Sequence, residues 1–439
     1  PQGITSSHIS SYGCINAGCV TATSQAGDIN TNVIFSVANG AGDGGNITLR
    51  ASNGDISTSH INSYTNGQGA GGVIEITAGG TFHIGAAAIN SLSQKGTAGD
   101  VTIEATANIT LGGDANRSAI RSEGLQQGGN ISITSVNGEI NTRQGNLDSF
   151  SDAGTAGNVF VRANGDINTA SIRSEGAKRG GSIVILSFDG NVDTWGNLNS
   201  FSSNGIAGDL AIQALGNINT FGIRSDGYFQ GGLVRLISST GYINTSWGTL
   251  DSYSIAGTAG SVLLEAPGSI TTGAIRSEGL QQGGSISITS YGDAINTTAG
   301  NLQSFSTNGT AGNVNLNAPG KITTASIISH GRFVGGNISL NSGSDEGIDT
   351  SAGVLETYST DGSAGNVSLM APGDIITGGG GYWVGNGCVV VGAPCLPPRA
   401  LGENGEVTPG FDDIFGWNGQ YWNIGSGIRS QGWLRGGKI

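Results

Sequence analysis

The chain has 439 residues, of which 80 are glycine, 8 are proline and only 11 % are charged. Collagen is excluded because glycine does not recur at every third position, and 36 % hydrophobic residues argue against disorder. A net charge of −13 disfavours nucleic acid as a partner, and no apolar stretch is long enough to span a bilayer.

Units of roughly 25 residues follow one another along the chain, and each contains the same three segments. In one of them, residues 130–133 alternate between polar and apolar and predict a first strand, and residues 140–142 predict a second strand after a glycine turn. An Ile-x-Ser or Leu-x-Ser segment closes the unit as a third strand. Because three short strands cannot bury an apolar face alone, we expect successive units to stack.

The third segment carries the clearest repeat. The string Ile-Arg-Ser-Glu-Gly at residues 120–124 returns at 172–176 and, with Asp in place of Glu, at 223–227. A Leu-x-Ser-aromatic segment lies between these copies, so that the full period of about 52 residues contains two related units. The aliphatic residue that opens each segment should point inward and stack on its equivalents. The predicted core ladder consists of Ile120, Leu147, Ile172, Leu198, Ile223, Leu250, Ile275 and Leu302.

These patterns predict an all-β fold, a right-handed parallel β-helix of about 15 three-strand rungs. We expect a right-handed helix because connections between parallel strands are right-handed in nearly all proteins. A β-propeller is the main rival for such a period, but its blades need longer antiparallel strands and more aromatic residues. The predicted organisation is β-helix rungs at 1–378, an inserted segment at 379–426 and a final rung at 427–439.

The inserted segment differs in composition from the repeats. It holds Trp383, Trp417 and Trp422, which are half of the six tryptophans, together with four of the prolines. We expect a small folded excursion on the side of the β-helix.

Two columns of side chains are predicted to face outward beside the core ladder. Arg recurs on every second rung in one column, and acidic and aromatic residues alternate in the other, two residues further on. Such a face suits lateral packing or a polymer such as a surface polysaccharide. A ladder that merely separates like charges explains the same pattern more simply.

A column of inward serines follows the same strands, at positions such as Ser122, Ser174 and Ser225. Because no His or Lys accompanies them, we expect hydroxyls that bond to one another rather than nucleophiles. The four histidines are scattered, and no tandem calcium-binding glycine–aspartate motif occurs. We therefore predict no enzymatic activity, no catalytic residue, no cofactor and no resident metal. A polysaccharide-active β-helix enzyme is a distant alternative.

The four cysteines form two close pairs, Cys14 with Cys19 and Cys388 with Cys395. An even number of cysteines without nearby metal-binding His favours disulfides and an extracytoplasmic location. We expect each pair to form a disulfide within its own turn or within the inserted segment. Disulfides across subunits and a Cys₄ zinc site are the alternatives.

The units Gly-Gly-Asn-Ile-Ser-Ile and Gly-Asp-Ile-Asn-Thr resemble those of filamentous-haemagglutinin-like bacterial large exoproteins, a β-solenoid repeat family. The similarity extends over residues 1–378 and 427–439. The resemblance implies secretion, an extracellular or bacterial cell-surface location, and an adhesive or structural role.

The two ends of the sequence suggest how copies associate. Ile4 and Ile9 lie in the first rung, whereas Ile428, Trp433 and Ile439 belong to the last, so that head-to-tail stacking would approximately complete one rung. We therefore expect a secreted structural protein whose subunits stack into an extracellular β-solenoid filament. A segment of a long surface adhesin rod is the alternative.

Overall fold

The structure, a computed structural model, describes residues 3–85, 88–113 and 118–377 and the backbone of the strand Ile428–Gln431. The fold is an all-β parallel β-solenoid of about 14 turns, which confirms the predicted fold class. The count is one lower than expected because the strand Ile4–Gly13 has no first strand before it among the described residues. The chain divides into two compact units, Pro1–Ile255 and Ala256–Ile439.

Each turn of the first unit is built from three short strands. The first strands are Val20–Ser24, Ile47–Ala51, Ile74–Ala78, Val101–Ala105, Ile131–Ser135, Val159–Ala163, Ile183–Ser187, Leu210–Ala214 and Val234–Ser238. The second strands are Ile56–Thr58, Phe82–Ile84, Ile109–Leu111, Ile140–Thr142, Ile167–Thr169, Val192–Thr194, Ile218–Asn219 and Ile243–Thr245. The third strands are His60–Thr65, Ile89–Ser93, Ser118–Gly124, Asn146–Ser151, Ile172–Gly176, Leu198–Ser202, Ile223–Gly227 and Leu250–Ser254. The longer strands Ile4–Gly13 and Ile29–Ala38 each run through the second and third positions.

The second unit repeats the same three positions. Its first strands are Val262–Ala266, Ile286–Ser290, Val314–Ala318, Ile338–Ser342 and Val367–Met370. Its second strands are Ile270–Thr272, Ile295–Thr297, Ile322–Thr324, Ile348–Thr350 and Ile375–Thr377. Its third strands are Ile275–Gly279, Leu302–Ser306, Ile327–Gly331, Leu355–Ser359 and Ile428–Gln431.

Equivalent strands of successive turns pair in parallel and in register. Leu147 lies opposite Ile172, and Ile172 lies opposite Leu198 in the next turn. All eight residues of the predicted core ladder are 0 % exposed. Ile428 lies opposite Leu355, so the strand that follows residues 379–426 takes the third position of its turn. The aliphatic side chains of successive turns stack on one another in the core, and their burial therefore sets the register of the third strands.

The inward serines fasten the corner that leads from a third strand to the next first strand. Ser174 donates a hydrogen bond to the carbonyl of Gly157 (2.7 Å) and accepts one from the N–H of Gly181 (2.8 Å). Ser122 and Ser225 make the same pair of bonds at their own corners. A Cβ on Gly181 would lie 2.2 Å from the Gly157 oxygen, so this close approach requires glycine. The expectation that the hydroxyls bond to one another is wrong, because the peptide groups of this buried corner take them as partners.

The corner between the second and third strands has a long form that recurs in both units. In one copy, Gly145 N–H donates to the Thr142 carbonyl (3.1 Å) and the Asn141 side chain accepts from Arg143 N–H (3.1 Å). The same closing bond is found at residues 245–248, 297–300 and 350–353. An Asn or Asp side chain that bonds two residues ahead stabilises a turn of this kind. The long corners therefore place exposed residues at a fixed position of the solenoid surface.

Several predicted features lie outside the described residues. They are the inserted segment at 379–426 and the residues Cys388, Cys395, Trp383, Trp417, Trp422, Trp433 and Ile439. At the other end, Ile4 and Ile9 lie in the strand Ile4–Gly13, opposite Ile29 and Ile34. No helix within the described part of the chain is long and apolar enough to cross a membrane.

Candidate functional site

The outward face of the third strands in the first unit carries charges that are paired on the face itself. Arg173 Nε donates to the buried carboxylate of Asp148 on the neighbouring turn at 2.7 Å, and Ser118 Oγ donates to the same carboxylate at 3.3 Å. The hydrogen bond to Asp148 raises the pKa of Arg173 above its ordinary value. Arg121 and Arg224 are paired within their own strands with the acid two residues further on. This arrangement agrees with the simpler interpretation of the face, a ladder that balances charge.

Histidines in both units belong to stacks of aromatic rings. His330 lies between Phe305 and Tyr358 on successive turns of the second unit, with ring centroids 4.8 and 4.5 Å away. Burial lowers the pKa of His330. A similar stack in the first unit places two histidines on either side of Phe35. The rings of these stacks pack edge to face or tilted, as is typical of aromatic contacts.

The expected disulfide between Cys14 and Cys19 is absent, and both thiols are free and exposed. The corner that contains them is held by the ladder instead, because Ala17 N–H donates to the carbonyl of Asp43 on the next turn at 2.9 Å. Its course is thus set without a cross-link. No group of three or more His, Cys, Asp or Glu that could hold a metal ion occurs in the described ranges.

A cleft of about 620 Å³ lies at the corner between second and third strands of the first unit. Trp195, Phe221 and Trp247 line it, and they come from three successive turns. The ring centroids of Phe221 and Trp247 are 5.9 Å apart. Trp195 is 53 % exposed and Trp247 is 60 % exposed, so that both indoles present much of their surface to solvent. The cleft is therefore an aromatic surface, in contrast to the charged face of the third strands.

Polar groups border these rings. Asp193 and Asn219 are opposite each other on adjacent second strands, and the Asn219 amide donates to the Asp193 carboxylate at 2.6 Å. The Arg143 guanidinium lies over the Trp195 ring, with its central carbon 3.7 Å from the centroid, a cation–π contact. The turn between these two residues carries Ala170 at the same corner. Its small side chain leaves room for Arg143 to reach across.

Sequence reasoning placed the notable tryptophans in the inserted segment and missed this cleft. The signal is nevertheless present, because an aromatic residue follows the second-strand Thr within two positions at Trp195, Phe221 and Trp247. Corresponding positions of the second unit hold small residues such as Gly273 and Thr298. The aromatic corner is thus a local departure from the repeat.

No protein-family model matches the chain, and neither a curated protein nor a solved structure matches it. The likeness to haemagglutinin-like exoproteins therefore stays a resemblance in repeat sequence.

Proposed function

We propose that the chain is a secreted structural protein that builds the shaft of an extracellular filament and has no enzymatic activity. The observation that carries this proposal is the uniform register of the turns. Within each unit, third-strand Ile or Leu lies on Ile or Leu, and Ser lies on Ser except at Thr357, from one turn to the next. A stack of equivalent turns supports itself through nearest-neighbour contacts and extends without a change of design.

Head-to-tail self-association is the proposed mode of assembly. Because all turns offer nearly the same strand register, pairing between copies can repeat the parallel pairing found within one copy. A contact of this heterologous kind propagates into an open filament rather than closing into a ring.

The solvent-facing side chains support a structural rather than a catalytic role. The Asp148 carboxylate is buried and accepts a hydrogen bond from Arg173, so it is not available as an acid or base in a cleft. His330 is packed between two rings. General acid–base chemistry needs such groups to be within reach of a substrate.

The proposed location is the bacterial cell surface or the extracellular medium, and it rests on the resemblance in repeat sequence. A long surface adhesin rod is the second candidate and is favoured by the same resemblance. Both candidates have the same fold, but in the adhesin the chain is a segment of a longer rod, whereas in the filament it is a subunit that stacks on other copies.

Immunogold electron microscopy of intact producing cells tests the proposal, with an antibody raised against the solenoid. Label along uniform extracellular fibres is the expected result. Label on separate rods anchored at the surface would favour the adhesin instead, and label confined to the cell interior would contradict both.

A further inference from the structure

We propose that the corner formed by Trp195, Phe221 and Trp247 is a binding site for an extended, neutral polysaccharide chain. The proposal goes beyond the shaft function and stands on the geometry of the cleft, so that either can fail without the other.

The three rings form a series along the strand-stacking direction. Successive turns of a parallel sheet are about 4.8 Å apart, a spacing close to the length of one pyranose unit in an extended glycan. Two exposed indoles stand on either side of Phe221, from the turn before it and the turn after it. Aromatic faces pack against the C–H face of a sugar ring, so rings such as Phe221 and Trp247, with centroids 5.9 Å apart, can each contact a sugar of the same chain.

The border of the cleft supplies the polar half of the site. Asp193 and Asn219 form a half-buried carboxylate–amide pair beside the rings. Carboxylate and amide groups exchange hydrogen bonds with hydroxyl groups, and a few such groups around an apolar lining are the usual composition of a ligand site. The volume of about 620 Å³ accommodates a short stretch of sugars rather than a protein surface.

The net charge of the protein disfavours an anionic chain. Arg143 at one end of the cleft and Asp193 within it offset each other, whereas the whole chain carries a net charge of −13. A sulfated or carboxylated polymer would be repelled by that excess. An uncharged glycan meets rings and hydrogen-bonding groups without this penalty.

The repeat itself does not require these aromatic residues. Two corners of the second unit have the same closing bond as residues 245–248 but hold Ala299 and Ala352 at the position of Trp247. Turn geometry is therefore satisfied by a small residue, and the Trp247 indole is an addition to it. This difference also supplies a matched substitution, Trp247→Ala, which introduces the residue already used at the equivalent position.

The test uses the full chain in native gels that contain hydroxyethyl cellulose, followed by calorimetric titration with cellohexaose. The parent protein should be retarded, and Trp195→Thr and Trp247→Ala should each lower the association constant by about ten-fold. The matched control is Tyr291→Ala, which removes an aromatic side chain that is 64 % exposed outside the cleft. It should bind like the parent. Hydrogen exchange of the parent should slow at residues 193–197 and 219–222 when cellohexaose is added, a readout that needs no variant.

Several results would overturn the proposal. They are retardation by dextran sulfate alone, no protection at 193–222 on addition of cellohexaose, or both variants binding as tightly as the parent. Sedimentation that shows weaker self-association of the variants with unchanged glycan binding would assign the corner to a second copy of the chain instead.

Discussion

Ser174 and Thr169 lie in the same turn and are both 0 % exposed, but their hydroxyls differ in hydrogen bonding. The Ser174 hydroxyl bonds to the peptide groups of Gly157 and Gly181. The Thr169 hydroxyl has no hydrogen-bond partner among the described residues. We therefore predict opposite effects when each hydroxyl is removed.

Ser174→Ala removes two bonds of 2.7 and 2.8 Å and leaves the Gly181 N–H buried without its acceptor. A buried polar group without a partner costs about 1–3 kcal/mol, so we expect a loss of about 2–4 kcal/mol in the free energy of unfolding. Thr169→Val keeps the branched shape and deletes a desolvated hydroxyl. It should stabilise the protein by about 1 kcal/mol.

Stacked turns do not unfold as one cooperative unit, so the assay combines urea denaturation with native-state hydrogen exchange. The Gly181 amide should lose protection in Ser174→Ala and keep it in Thr169→Val. The reasoning is refuted if Ser174→Ala matches the parent in stability and in Gly181 protection, or if Thr169→Val loses as much stability as Ser174→Ala.

Three further predictions concern burial, backbone and pH. Ile223→Asp places an unpaired charge between two buried leucines, so it should lower the free energy of unfolding by about 4 kcal/mol or more. The control Ile223→Val should lower it by only about 1 kcal/mol. Similar urea midpoints for the two variants would contradict the inward position of Ile223. Gly347 has a φ of 72°, and its Cβ would lie 1.8 Å from the Asp374 oxygen, so Gly347→Ala should lower the melting temperature, and an unchanged one would argue against this strain. Burial lowers the pKa of His330 below the ordinary value of 6.5, which means that the folded protein favours the neutral imidazole. The stability that depends on His330 should therefore be complete above pH 6.5 and should decrease as the pH falls below 6.5. His330→Phe should remove this dependence from pH titrations of the urea midpoint, whereas a parent that gains stability on acidification would contradict it.

The repeating core could be predicted from the sequence because burial leaves a periodic trace. The Ile or Leu that opens each third segment marks a strand, and the register Leu147–Ile172–Leu198 follows from aligning the repeats. The strand Ile140–Thr142 coincides with the predicted second segment, and the strand Ile131–Ser135 overlaps the predicted residues 130–133 and extends two residues further.

The partners of buried polar groups could not be predicted in the same way. Periodicity shows that Ser174 faces inward, but the carbonyl that accepts its hydrogen bond belongs to a corner whose path depends on the stacked backbone. The same limit applies to Cys14 and Cys19, since nearness in sequence does not fix the distance between two thiols. The aromatic corner could not be predicted from the repeats, because its rings occupy positions at which the other units hold small or unrelated residues.

Negative-stain electron microscopy of the protein purified from its native source tests the central claim, that stacked turns serve as an extracellular structural shaft. We expect long fibres of uniform width, which arise when copies continue one another's parallel ladders. Separate particles of a single chain, at every concentration and in the absence of denaturant, would contradict it.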